Sequence, residues 1–333
     1  MASISALGAF RHGGRLREAT AAHPHAPCPW LDLSTGINPH PWSGPRACDD
    51  DLRRLPDPQG LAELEAVAAR AFGVNDSGRV AAVSGAEAAL RLLPGLIGGG
   101  AVALLDPIYG GHAEAWASWT PNRLVSLDDP RTLHADVLVL VNPNNPDGRR
   151  IDREILAALA AERSDQGRWT VVDESFAEVA PALSVADLEI DRLITLRSFG
   201  KFYGLPGVRL GFLIGNKIFS REFRLLLGDW PVSADAIALG QGAYADEVWR
   251  KTTRIWLSEQ AAKVDAALAQ AGFTTVGGCD LFRWVEVPDA HTVFNRLCEQ
   301  GVLTRPFADR PDRLRFGLPS IKDFNRFQKA LQA

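Results

Sequence analysis

Ser198-Phe199-Gly200-Lys201, running on through Phe202-Tyr203 into Gly204-Leu205-Pro206-Gly207-Val208-Arg209-Leu210-Gly211, is the stretch of this 333-residue chain on which the reading turns. A lysine amine attacks a carbonyl carbon only when it is unprotonated. Partial desolvation and nearby cations bring that about by lowering its pKa. Here Lys201 stands between the Ser198 hydroxyl and the Arg209 guanidinium, two groups suited to a phosphate dianion. A solvated lysine in a glycine-rich turn is the plain alternative for Lys201 alone. The whole string S-x-x-K-x-x-G-L-P-G-x-R favours the chemical reading.

Working outward, the string is bracketed by short apolar runs at 193–198 and 209–214, and similar runs recur upstream at 79–84, 101–106, 137–142 and 169–173. Short, apolar and mostly branched, they read as strands buried on both faces. Helical spacing between them, as at 152–163, predicts β-α-β crossovers and a mainly parallel sheet. The first 60 residues, rich in Pro, Gly and His, predict an extended arm with turns, and apolar residues recur at helical spacing over 61–72. Beyond Gly215 a long helix is expected over 246–271, with Trp249, Thr253, Trp256, Gln260 and Val264 along one side. Strands follow near 281–287, 302–305 and 313–317. The expected organisation is an arm over 1–60, a large α/β domain over 61–220, and linker helices with a small α+β domain over 221–333.

Composition excludes several classes. With 46% hydrophobic and 23% charged residues the chain suits an ordinary globular protein. A net charge of -4 with scattered basic residues does not suit a nucleic-acid partner. Cys28, Cys48, Cys279 and Cys298 form no C-x-x-C pair, which predicts reduced thiols and no metal site. No apolar stretch is long enough to cross a membrane, and the first residues lack a basic leader, so a cytoplasmic location is expected.

Asn145, Asp173 and Lys201 each lie at or just beyond an expected strand end, 28 residues from one to the next. Ligands of open α/β sheets bind outside the carboxyl ends of the strands, so three such residues can converge on one ligand. A carboxylate buried at Asp173 needs a cation, and the protonated pyridine nitrogen of pyridoxal phosphate is one. A helix N-cap is the other role open to it. Asn145 lies in Asn142-Pro143-Asn144-Asn145-Pro146-Asp147-Gly148, which is either a tight turn or a turn that also offers an amide to the cofactor's ring oxygen. Ser84-Gly85-Ala86-Glu87 marks a strand-to-helix junction whose free N–H groups favour phosphate. Tyr109 follows another strand end and either stacks on the cofactor ring or simply packs.

Taken together these motifs resemble fold-type I pyridoxal-phosphate enzymes, over nearly the whole chain. Within them they resemble the branch that holds histidinol-phosphate aminotransferases and L-threonine-O-3-phosphate decarboxylases. The resemblance implies the aminotransferase fold, an α/β architecture with a mainly parallel sheet flanked by helices, a smaller α+β C-terminal domain and an N-terminal arm. It implies pyridoxal 5'-phosphate on Lys201 as a Schiff base, Asp173 on the pyridinium, Asn145 on the ring hydroxyl and Tyr109 stacked on the ring. Ser198, Arg209 and the backbone at Ala86 and Glu87 would hold the cofactor phosphate. Arg315 in Leu314-Arg315-Phe316-Gly317 matches the arginine for the substrate α-carboxylate, and Arg305 matches one for a distal phosphate. Solvated surface arginines are the alternative for both.

His12-Gly13-Gly14 and the later Asp32-Leu33-Ser34-Thr35-Gly36-Ile37-Asn38-Pro39 resemble the decarboxylase arm, which closes over a phosphorylated amino acid, and this makes His12 and Asn38 expected substrate contacts. A homodimer is implied as well. The expected reaction is decarboxylation of L-threonine-O-3-phosphate, with an aminotransferase of the histidinol-phosphate type as the alternative and a non-catalytic cofactor-binding module as the reading from another class. Two positions depart from the family pattern: Phe176 and Leu55 stand where many relatives carry tyrosines.

Overall fold

The computed structural model describes residues 12–117, 122–129, 132 and 134–333. In chain order the strands are β1 (Leu31–Asp32), β2 (Val80–Val83), β3 (Val102–Leu105), β4 (Asn122–Val125), β5 (Val137–Val141), β6 (Trp169–Asp173) and β7 (Leu193–Ser198). They continue as β8 (Gly211–Ile214), β9 (Thr274–Cys279), β10 (Phe282–Glu286), β11 (Val302–Leu303), β12 (Arg305–Phe307) and β13 (Arg310–Gly317). Contacts between Cα positions divide the chain into two units. The larger comprises Pro41–Asn145 and Arg149–Thr252, and the smaller comprises the chain up to His40 with Pro146–Gly148 and Thr253–Ala333.

The larger unit is built on a seven-stranded sheet of order β2-β8-β7-β6-β5-β3-β4. From β4 to β7 every neighbouring pair is parallel, and β8 runs antiparallel to both β7 and β2. Side chains alternate between faces along each strand, so a strand covered on both sides is mostly apolar on both faces. Val139, Val171 and Leu196 enter one core with Leu90 and Leu93 from the helix Ala86–Ile97, Trp116 from Gly110–Ala117 and Phe223 from Lys217–Leu227. Leu138, Leu140 and Val172 point the other way, into a core with Leu156 and Ala160 of the helix Arg153–Asp165. The helix expected from residue 61 begins earlier, at Pro58. The Asp57 carboxylate caps it by accepting from the N–H groups of Gln59 and Gly60, and proline suits the first turn.

The smaller unit carries an antiparallel sheet of order β12-β13-β10-β9 and a short parallel ladder in which Leu31 pairs with Val302 and Asp32 with Leu303. Leu31, Leu33, Ser34 and Asn38 are buried, so this part of the N-terminal segment is packed structure.

Candidate active site

Because β5, β6 and β7 are consecutive parallel neighbours, their carboxyl ends share one edge of the large sheet. Val141 registers with Asp173, and Asp173 with Leu196. Asp173 is the last residue of β6 and Ser198 the last of β7. Lys201 follows in the one-turn helix Phe199–Phe202, and Asn145 and Tyr109 each lie four residues beyond their strands, β5 and β3. The turn that carries the lysine is tight: a Cβ on Gly200 would sit 2.6 Å from the Pro206 Cα. The Lys201 Nζ lies 5.7 Å from the centre of the Phe176 ring. A phenyl ring at that position presents its face to the amine but offers no hydroxyl.

Asp173 is buried, and both its oxygens are engaged. His112 Nε2 is 3.0 Å from Oδ2, and the Ser175 N–H donates to Oδ1 at 2.9 Å. Burial alone would raise the carboxyl's pKa, yet the hydrogen bond and charge of His112 and the Ser175 bonds outweigh it and hold the group below its ordinary range. An ionised carboxylate only accepts, so His112 Nε2 carries the proton. Its ring meets Tyr109 edge-on at 6.1 Å, and the Tyr109 hydroxyl donates to Glu87 Oε2 at 3.2 Å. His112 itself was not visible as a site residue in the sequence. Its one signal is a histidine in the first turn of a helix, three residues after the tyrosine at a strand end.

The phosphate-binding expectation falls where β8 meets the start of the helix Ala86–Ile97. That helix has no side-chain N-cap, and Gly85 before it has φ of 85°. A Cβ on Gly85 would lie 2.5 Å from Arg209 Nη2, and one on Gly211 would lie 2.3 Å from the Ala86 amide nitrogen. Arg209 holds left-handed backbone, φ 55°, a conformation that costs a non-glycine residue on the order of 1 kcal/mol and places its guanidinium against the helix start. Gly211 also pairs with Ser198, so a hydroxyl, a guanidinium and free helix N–H groups gather in one cradle. The donor set fits pyridoxal phosphate: an anion cradle, a carboxylate held ionised for the ring nitrogen, and an amine over an aromatic face.

The remaining expected residues lie in the smaller unit. Arg305 of β12 and Arg315 of β13 are direct cross-strand partners, so both side chains project from one face of the sheet. Arg315 is buried, donates from Nη2 to the Ser34 carbonyl at 2.9 Å and lies 5.1 Å from the Phe282 ring centre. Arg305 is half-buried, 5.1 Å from the Phe307 ring centre. Asn38 is buried, and its Oδ1 accepts from the His40 N–H at 2.8 Å. His12 begins the Gly13-Gly14 turn, whose Gly14 N–H donates to the Ser34 hydroxyl at 2.8 Å.

Comparison with known proteins agrees with this architecture. A family model described as aminotransferase class I and II matches residues 30–331. The threonine-phosphate decarboxylase of Pseudomonas aeruginosa is 37% identical over 93% of this chain and 93% of its own length. The threonine-phosphate decarboxylase of Sinorhizobium sp is 38% identical over 96% of this chain and 97% of its own. Among solved structures, histidinol-phosphate aminotransferase from Sinorhizobium meliloti in complex with pyridoxal-5'-phosphate superposes with a TM-score of 0.81 at 20% identity, covering 95% of this chain and 93% of that one. The chain therefore belongs to the class I and II aminotransferase family.

Proposed function

We propose that the protein decarboxylates L-threonine-O-3-phosphate to (R)-1-amino-2-propanol phosphate and CO2, using pyridoxal 5'-phosphate, as a step of cobalamin biosynthesis. The observation that carries this reading is the likeness to two threonine-phosphate decarboxylases along 93–96% of the chain. The donor set at the sheet edge supports the cofactor, and the paired arginines support a substrate with two anionic ends.

When bound, the cofactor supplies an electrophilic aldehyde and a ring that accepts the electron pair left as a bond to Cα breaks. Lys201 would hold the cofactor through its amine and would be the group that returns a proton to the substrate Cα. Asp173, kept ionised by His112 and Ser175, would accept from the protonated ring nitrogen. Asn145 would donate to the ring oxygen and Tyr109 would cover the ring face. Ser198, Arg209 and the Ala86 and Glu87 amides would take the cofactor phosphate.

Which bond to Cα would break depends on how the binding residues orient the substrate, so orientation would choose the reaction. Arg315 for the carboxylate, Arg305 and His12 for the phosphate, and Asn38 as a further substrate contact would fix that orientation. Leu52 and Leu55, 59% and 67% exposed, are apolar groups that a partner protomer would cover, and we place the protein in the cytoplasm as a homodimer. Among the described residues no helix is long and apolar enough to cross a membrane.

Pure protein supplied with pyridoxal phosphate and threonine phosphate is expected to release CO2. Absence of CO2, with a keto acid formed from an amino donor and 2-oxoglutarate, would replace this reading with an aminotransferase of the histidinol-phosphate type.

A further inference from the structure

We propose that Ser34 is a positioning residue that ties the His12-Gly13-Gly14 loop to Arg315, and that this fixed spacing selects an amino acid carrying a phosphate. The identity of the substrate rests on the threonine-phosphate reading above; the tether itself rests on geometry within the smaller unit.

Three consecutive residues make a junction there. The Leu33 N–H donates to the Leu303 carbonyl at 2.7 Å, and its own carbonyl accepts from the Gly317 N–H at 2.7 Å. Leu33 thus bridges β11, two residues before Arg305, and the end of β13, two residues after Arg315. Ser34 comes next and is only 2% exposed. Its N–H and its hydroxyl both donate to Asp32 Oδ1, at 2.9 and 2.5 Å. With its proton committed to Asp32, the hydroxyl oxygen is an oriented acceptor, and the Gly14 N–H fills that role at 2.8 Å. The Ser34 carbonyl accepts from Arg315 Nη2 at 2.9 Å. The loop lies flat on this peptide: a Cβ on Gly13 would stand 2.5 Å from the Ser34 oxygen, and Gly14 has φ of +82°.

The two ends of the tether are chemically separable. The bond to Arg315 uses a main-chain oxygen, which the smaller alanine also presents, whereas the bond to the His12 loop needs the hydroxyl. Removing the hydroxyl should therefore loosen the phosphate end and leave the carboxylate end in place. A loop ordered before binding spares its substrate the cost of ordering it.

In Ser34→Ala the KM for threonine phosphate should rise about tenfold, the loss expected for one hydrogen bond, with kcat within about twofold. The inhibition constant of unphosphorylated threonine and the absorbance of the bound cofactor should stay unchanged. Trypsin should cut after Arg15 faster than in the wild type. Gly14→Ala, which strains the loop's left-handed backbone at φ +82° but meets no atom within 4 Å and so leaves the Ser34 carbonyl and its bond to Arg315 in place, should give the same signature if Ser34→Ala fails to fold. Equal weakening of threonine and its phosphate, or unchanged KM and trypsin cleavage, would overturn the proposal. If the wild type releases no CO2, the substrate reading fails on its own; faster cleavage after Arg15 in the variant then still supports the tether, and unchanged cleavage overturns it.

Discussion

Replacing His112 with phenylalanine tests whether the carboxylate at the end of β6 is built to stay charged in a buried place. Of the acceptor positions on the two oxygens of Asp173, one is filled by His112 at 3.0 Å and one by the Ser175 N–H at 2.9 Å, which leaves lone pairs for a third donor. Burial works against the charge, and His112 is the first of the contributions that outweigh it. A hydrogen bond to a charged group is worth about 1.5–3 kcal/mol, so losing it should weaken pyridoxal phosphate binding by roughly tenfold to a hundredfold. His112→Gln, which keeps an N–H near the lost one, should recover part of the affinity.

The pH behaviour has a fixed sign. A carboxyl held below its ordinary range contributes stability above that range, and this contribution disappears as pH falls through its folded pKa. His112→Phe should therefore be least stable relative to wild type near neutral pH, and the gap in melting temperature should narrow as the solution is taken to pH 4 and below. Cofactor titration by absorbance, and melting followed from pH 7 to pH 3, make the measurement. A variant that binds the cofactor as tightly as wild type, with a gap in melting temperature that does not change with pH, would show that His112 is only packing.

Three other outcomes follow from the same geometry. Lys201→Ala should remain folded but lose turnover and the covalent label left by borohydride reduction, checked by peptide mapping of the wild type. Arg305→Ala should raise the KM for threonine phosphate by about tenfold or more, the loss of a charge-assisted bond, with a far smaller effect on unphosphorylated threonine; initial rates of CO2 release, with threonine as a competing inhibitor, measure both. Gly85→Ala puts a methyl group 2.5 Å from Arg209 Nη2 on a backbone of positive φ, so it should cost about 1–3 kcal/mol of stability and weaken the cofactor's phosphate contact, read by melting and by cofactor titration.

The central strands were legible because each is covered on both faces and is therefore mostly apolar: β6 and β7 have the bounds that the sequence pattern predicts. The strands that escaped detection are of another kind. β4 begins Asn-Arg and lies at one end of the large sheet; β9 holds Gly277 and Gly278 and lies at one end of the small one. A strand at an edge has one neighbour fewer and needs no unbroken apolar run. The glycines of β9 are there for close approach, since a Cβ on Gly277 would sit 2.2 Å from the Asp147 carbonyl oxygen. β12 contains Pro306, which sequence patterns score against any strand, yet this strand too lies at a sheet end, where proline is tolerated.

The common sheet edge of Lys201, Asp173 and Asn145 was legible for a related reason: parallel topology puts successive strand ends side by side, so position along the chain already implies position at the edge. His112 had no such help, because its partner Asp173 is 61 residues away and a lone histidine among alanines reads as core.

The arginines show most clearly what residue type leaves undecided. Arg197 is a buried arginine set between Glu174 at 3.4 Å and Glu178 at 3.6 Å, and Arg163 is held by the carbonyls of Thr132, Ala135 and Trp169, where burial pushes its guanidinium down to about 10. Each of those two is part of the internal framework of the larger unit. Arg305 and Arg315 are the same residue type at sequence positions no more distinctive, but strand register sets them opposite each other, and like charges directly across an antiparallel pair are unfavourable. On the proposed reading, that face is where a substrate's carboxylate and phosphate would be taken. The register of β12 on β13, more than the presence of arginine, is what brings these two guanidinium groups to one face of the small sheet.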